Sequence, residues 1–595
     1  MAFSLKWIRT SFGNLYSRNK FLQFFIGSEA IGNSSFGRAH WLYGRALGIV
    51  TLLAFISYWS QADALIGPDG LNPWIEDLDK IESLADGEED LWPKIVLRPT
   101  LLWFSPFANH HLLFVLGSLA ALALGIGFLP LLSGLLCYLC YLSLMVVGEP
   151  FLSFQWDILL VETLLLSMPF LPTVRLHRRS QPIPHSRLAR LLIVALLAKL
   201  MLESGIVKFT FFDQDGSNTW RDFTALEYHY WTQPLPHTLS SWIHSLPQWF
   251  DEFSLLTMCA VELILPVLLF FPGNIRRFAV LGQVLLQLAI LLSGNYGFFN
   301  LLTLVLCIPL CDDRMIVFFT REKLKVIESK PFPKVSLSNG CALGLWALFL
   351  ATGWKHLAQD LRGNQPADQA VMSYPKKIDD LQDALRPFRS FNSYGLFRVM
   401  TQTRPEIIVE TSADAQEWEV VRFNFKPSDP THTPRFAGPH MPRIDWQMWF
   451  EGLNFERYAV HPFSRFLYGR FLELSARGAK PEDFSNVPKV LGDRETKALS
   501  QAPAQAQRQA LASYNQLMNS FLSRSLWFGR FLEAITKGNE TILAQLHEDS
   551  QRLTKPNFLR VSLHHYEFSS DEQKAWITQP VPEASYVLNL KESLP

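Results

Sequence analysis

The chain has 595 residues, 49% hydrophobic and 18% charged, and its 54 Lys and Arg balance its 54 Asp and Glu to a formal net charge of zero. That balance argues against a nucleic-acid partner, which needs a basic surface. The length exceeds one ordinary domain, and the apolar residues are unevenly spread: long apolar runs fill the chain up to about residue 357, while charges and prolines are common after it.

Residues 1–40 are basic and aromatic, with Lys6, Arg9, Arg18, Lys20 and Arg38, but have no compact apolar core before their small residues. They read as a cytosolic or interfacial segment, not as a cleaved signal peptide. Residues 41–357 read as a transmembrane domain. Apolar spans fall near 41–60, 112–130, 131–148, 154–171, 188–208, 253–271, 277–293, 299–316 and 339–356, about nine in all.

Charge tests that count. Arg175, Arg178, Arg179, Arg187 and Arg190 lie between spans four and five, Arg276 and Arg277 between six and seven, and Arg321, Lys323, Lys325, Lys330 and Lys334 between eight and nine. With nine spans all these loops share the side of the basic N-terminus, which the positive-inside rule makes cytosolic. The loop 61–110 falls opposite and is acidic, with Glu76, Asp77, Asp79, Glu82, Asp86, Glu88, Glu89 and Asp90. The C-terminal portion is then extracytosolic, in the endoplasmic-reticulum lumen of a eukaryote or outside the inner membrane of a bacterium.

All six cysteines lie in or beside spans, so the exported portion has none for an internal disulfide. Cys137 and Cys140 form a CxxC on an apolar helix, where small buried packing residues are expected.

Charges inside the spans stand out. Span four carries Asp157 and Glu162, span six Glu262, and span five, LLIVALLAKLMLESGIVKF over 191–209, carries Lys199, Glu203 and Lys208. Lys199 and Glu203 are four apart on one helix face and can pair, while Lys208 is near enough to an end to snorkel. Three readings compete: polar glue, a transport path, or an enzyme with Lys208 as base and Glu203 or Glu162 setting its pKa. No inverted repeat supports transport. The outer loop 209–252 is aromatic; Trp220, Tyr230 and Trp231 suit an interfacial or re-entrant segment, with His229 among them.

Residues 358–375 read as a linker and 376–595 as an α+β domain. Strands are predicted over 405–412, 417–427, 561–568 and 585–590, forming a small antiparallel sheet, with helices inserted near 444–455, 463–476, 496–523 and 526–547. Asn392 and Gly395 read as a turn before the first strand. On the helix at 444–455, Trp446, Trp449 and Phe450 form one stripe, oriented by Arg443 and Asp445. Core packing and a client-binding patch are the two readings. His564 and His565 point to opposite strand faces, which disfavours a shared metal. No GxSxG, GxxxxGK[ST], HExxH or zinc-type CxxC pair is present, so no metal and no nucleotide cycle is expected.

GIVKF (205–209), Trp220, FTALEYHYWTQPLP (223–236), GNYGFFNLLTL (294–304), FRSFNSYGLFRVMTQTRPEIIVETSADAQEWEVVRFNFKP (388–427) and PHMPRIDWQMWF (439–450) resemble the lipase maturation factor family, from about Trp41 to Phe568. The resemblance implies a multi-pass membrane protein with a lumenal C-terminal domain that assists exported lipases, or another secreted client, to fold or assemble. No cofactor is expected. More distantly, the membrane half is similar to the vitamin K-dependent gamma-glutamyl carboxylases. There a lysine followed by a tryptophan-containing outer segment is the base on a quinol; Lys208 and Trp220 are the matching positions. That likeness implies a lipid-soluble, quinol-like or acyl ligand beside Lys208.

Overall fold

The computed structural model describes residues 36–85, 91–104, 107–179, 183, 185–213, 215–320, 337–457, 524–553, 556–571 and 574–589. The expected N-terminal segment up to residue 35, the basic loop 321–336 and the helices at 463–476 and 496–523 lie outside them.

Helices dominate the first part. Among the described residues, three are long and apolar enough to cross a membrane: α1 (Gly37–Trp59), α12 (Asn274–Ser293) and α15 (Leu337–Arg362). Shorter apolar helices are α5 (His110–Ile126), α6 (Pro130–Val146) and a stretch over Phe299–Leu310 that begins with α13 (Phe299–Cys307), and α14 (Asp313–Thr320) follows it. Short helices α2 (Ala62–Ile66), α3 (Trp74–Leu84) and α4 (Leu91–Leu97) link α1 to α5.

Local chemistry sets the joints. Gly127 closes α5 in the left-handed conformation, which costs glycine least, and Pro130 opens α6 at a first-turn position that needs no N–H. Gly48 of α1 lies so close to α5 that an added Cβ would meet the Gly125 nitrogen at 2.3 Å. Small residues at a helix crossing let backbones approach in this way.

Two central helices differ from the rest. α7 (Gln155–Ser167) and α8 (Arg187–Thr210) expose no side chain, carry Asp157, Glu162, Lys199, Glu203 and Lys208, and pack against each other. Ser186 caps α8 by accepting from the Ala189 N–H at 3.1 Å. α9 (Ala225–Thr232), α10 (Ser240–His244) and α11 (Gln248–Cys259) follow. α11 runs into a π turn over Ala260–Ile264, which carries Glu262. α15 continues to Arg362, so the first residues of the expected linker are helical.

Beyond α16 (Lys377–Leu385) lies a four-stranded antiparallel sheet in the order β2-β1-β3-β4. Its strands are β1 (Pro405–Ser412), β2 (Glu419–Val420), β3 (Phe558–Phe568) and β4 (Trp576–Asn589). β2 is much shorter than expected and β4 much longer. Pro405 pairs with His565 and Ser412 with Phe558, and a register shift falls between Val561 and Leu563. α17 (Arg443–Phe455) packs on β1, with Gly452 against the Pro405 carbonyl. Ile407, Val409, Leu559, Val561 and Leu563 join a core that runs unbroken into α1, α5, α7 and α8. Ile408, Tyr566 and Trp576 pack on Trp231 of α9, so both sheet faces are covered. α18 (Leu526–Lys537) and α19 (Glu540–Leu543) complete the described C-terminal part.

Candidate functional site

The membrane charges meet the C-terminal part, which inserts two segments among them. The first is 391–395, FNSYG. Glu162 Oε2 accepts from the Asn392 N–H and side-chain amide, each at 3.0 Å, and from the Tyr394 hydroxyl at 2.8 Å. Glu203 accepts from the Tyr394 N–H at 2.9 Å, and Lys199 Nζ donates to the Asn392 carbonyl at 2.5 Å. Lys199 therefore does not pair with Glu203 as its spacing suggested. Its carboxylate neighbour is Glu162, at 3.7 Å. The expected turn at Asn392 and Gly395 is thus a plug, and buried backbone groups supply the partners that charges in a low-dielectric site require.

The second segment is PRIDW, 442–446. Arg443 donates to both oxygens of Asp157 at 2.8 Å and to the Phe151 carbonyl at 2.7 Å, and both partners are fully buried. Tyr141 adds a hydrogen bond to Asp157 at 2.6 Å. Gln61 and Ser57 of the α1 end bind the Arg443 and Met441 N–H groups. Asp445 accepts from the Phe425 and Lys426 N–H groups, and burial raises its pKa to about 6. Trp446 is buried edge-on to Trp156 at 4.8 Å, and Trp449 Nε1 donates to the Thr232 carbonyl at 2.9 Å. Phe450 stacks on Phe154 and is half-buried. The stripe therefore packs against the membrane bundle, leaving Trp446 and Trp449 no face for a client.

Lys208 occupies a separate buried site. It donates to both oxygens of Glu262, at 2.7 and 3.0 Å, and to the Ser204 carbonyl, with the Trp220 ring 5.3 Å away. Its partner is Glu262, neither Glu203 nor Glu162, and the lysine does not snorkel. A π turn widens the helix and sets Glu262 towards it. His229 Nε2 and the Tyr296 hydroxyl are 3.2 Å apart, and burial with the Lys208 charge lowers the His229 pKa to about 4. Trp231 is buried against the sheet and Tyr230 in a neighbouring cluster with Trp220 and Leu255, whereas Trp242 and Trp249 are exposed.

Two groups escaped the sequence reading. Arg404, Glu406 and Lys426 form a fully buried triad at 2.7 and 2.8 Å, and Arg404 also donates to the carbonyls of Trp231, Gln233 and Pro234. Lys426 lies 20 residues after Glu406 and outside the observed strands, so spacing gave no hint that the three meet. Asp63 Oδ1 lies 3.0 Å from His110 Nε2 and 3.1 Å from His111 Nε2. These three are the one group of potential metal ligands among the described residues. Trp59 Nε1 donates to His111 Nδ1 at 3.1 Å, which places the His111 proton on Nε2, facing Asp63. The trio is satisfied as a hydrogen-bonded cluster.

Residues 38–318 match the lipase maturation factor transmembrane domain, and residues 390–479 match the lipase maturation factor C-terminal domain. Lipase maturation factor 2 of Xenopus tropicalis is 31% identical over 535 residues, covering 74% of each chain. The chain belongs to the lipase maturation factor family. Within it, the Homo sapiens lipase maturation factor 2 is 31% identical over 69% of this chain and 71% of its own, and lipase maturation factor 1 of Mus musculus is 28% identical over 72% and 75%. No solved structure matches. The family's transmembrane domain makes this a membrane protein, and both inserted segments fall within or beside the matched C-terminal domain.

Proposed function

We propose that this chain is a membrane-anchored maturation factor that holds an exported lipase-class client while it folds or assembles. The carrying observation is the double insertion of FNSYG and PRIDW into buried charges. It makes the membrane bundle and the sheet one body, a rigid platform rather than a tethered domain. The family's relatives are named for lipase maturation, which supplies the client class.

Nine membrane crossings remain our reading, with 1–40, 41–357, 358–375 and 376–595 as its parts. The helix order supports it: the ends of α1, α6 and α8 lie with the starts of α5 and α7 at the end where the sheet packs. The described loop arginines Arg175, Arg178, Arg276 and Arg277 lie at the other end, in keeping with a cytosolic N-terminus and an extracytosolic sheet. The membrane would be that of the endoplasmic reticulum in a eukaryote and the inner membrane in a bacterium. Client contact falls to surfaces other than the buried Trp446 and Trp449.

A second reading keeps Lys208 as a base on a lipid-soluble, quinol-like or acyl ligand. The geometry weighs against it: Lys208 Nζ already donates to both Glu262 oxygens and to the Ser204 carbonyl, so a ligand would have to displace them. The deciding experiment measures secreted lipase specific activity in cells lacking a maturation factor, rescued by this chain or by its Lys208→Met, Glu262→Leu double variant at matched membrane levels. Rescue by both supports the platform. Rescue by wild type alone supports the base, and no rescue by either overturns the lipase client.

A further inference from the structure

The bundle end away from the sheet carries a cationic surface that none of the contacts above uses. Residues 175–177 form a short antiparallel bridge with the α5–α6 joint: the Leu129 N–H donates to the Arg175 carbonyl and the His177 N–H to the Gly127 carbonyl, both at 2.9 Å, with Phe128 opposite Leu176. Backbone pairing holds this strip still. Along it Arg175 and Arg178 are exposed.

Arg45 of α1 projects into the same place. It donates to the Trp41, Ile126 and His177 carbonyls, and its guanidinium lies 4.4 Å from the Trp41 ring centre. Among the described residues, no carboxylate lies within salt-bridge distance of Arg45, Arg175 or Arg178. Apolar side chains border the patch: Phe128 and Leu176 are partly exposed, and Ile49, Ile126 and Leu132 are more so, continuing down α1, α5 and α6. These are helices of the transmembrane domain, so that apolar wall meets acyl chains. A tryptophan and arginines at the top of such a wall sit where headgroups lie.

We propose that Arg175 and Arg178, with Arg45 and Trp41 beside them, bind the phosphodiester of an anionic phospholipid. The phosphate meets an exposed guanidinium of this strip within the positive field of the others, and the acyl chains run along the Ile49, Ile126 and Leu132 wall. The commitment is to a lipid, because the patch and the apolar wall are continuous and a free phosphate would use only the first.

The test is native mass spectrometry of the full chain released from detergent with phosphatidylglycerol or phosphatidylcholine, repeated with excess inorganic phosphate. Wild type should retain phosphatidylglycerol over phosphatidylcholine, and inorganic phosphate should not displace it. Each basic residue at an anionic surface is worth on the order of fivefold, so R175E/R178E should lose more than about tenfold of that retention, while R175K/R178K keeps most of it. Equal retention of the two lipids by wild type, displacement by inorganic phosphate, or full retention by R175E/R178E overturns the proposal. If the charge-reversed pair does not insert, wild-type selectivity and its loss in high salt decide the matter, since exposed charges are screened.

Discussion

Arg443 and Asp157, 286 positions apart in the chain, share two hydrogen bonds of 2.8 Å with no exposure of either side chain. One belongs to the C-terminal part and the other to a helix of the membrane bundle, so this pair is a joint between the two. Removing one partner strands the other charge where water cannot reach it. Arg443→Met should destabilise the purified protein by about 3–5 kcal/mol, and the Asp157→Leu, Arg443→Met double variant should recover much of that loss. Thermal unfolding in detergent gives the comparison, and additive losses would sink the joint.

The FNSYG plug makes a second prediction. Tyr394→Phe removes the hydroxyl from Glu162 and should cost about 1.5–3 kcal/mol, the range for hydrogen bonds to charged groups. Limited proteolysis between residues 363 and 376 should then cut faster than in wild type. An unchanged rate would mean that the plug is not held by this bond.

Gly395 sits at φ 153°, and an added Cβ would meet Val207 Cγ2 at 2.6 Å. Gly395→Ala therefore carries both backbone strain and a clash with α8. It should cost at least on the order of 1–3 kcal/mol, read as a lowered unfolding temperature. Gly216 has a positive φ but nothing within 4 Å of an added Cβ, so Gly216→Ala should cost less.

Acid should loosen the C-terminal part. Burial lowers His432 and His440 from 6.5 to about 4, so the folded state holds both neutral where the unfolded chain would protonate them. Their contribution is present above pH 6.5 and is lost as pH falls towards 4. Asp445, raised to about 6, has the opposite sign: its contribution is greatest below about 3.8 and is lost as pH rises through 6. Of these three groups the two histidines outweigh the carboxylate, so their summed contribution to stability falls between pH 6.5 and 4. The His432→Gln, His440→Gln double variant should flatten that slope, and an unchanged slope would place its origin elsewhere.

Much of this architecture is legible in residue patterns. β1 matches its short β-branched run, Ile407–Val409, and α17 lies within a residue of its expected span, because local sequence decides both. Intramembrane charges are also visible individually. Their partners are not, since Asp157 finds Arg443 and Glu162 finds Asn392 only through tertiary packing. Spacing suggested a Lys199–Glu203 pair, but a backbone segment from 190 residues further along displaced it. The Lys208 partner was misassigned for a related reason: Glu262 faces it only because a π turn alters the helical phase. Strand β2 shrank to two residues because 421–427 turns away to meet α17, with Asp445 taking the Phe425 and Lys426 N–H groups.

The strand order has a consequence for synthesis. β1 lies between β2 and β3, yet β3 leaves the ribosome some 145 residues after β1 has been made. Until then β1 has only a two-residue neighbour, and most of its N–H and C=O groups on the other edge lack their final partners. A chain stopped before Phe558 would retain PRIDW and FNSYG, and so could seat both plugs, but it would expose an unpaired strand beside the membrane bundle. Premature termination would thus yield an anchored, adhesive fragment rather than a merely inactive one.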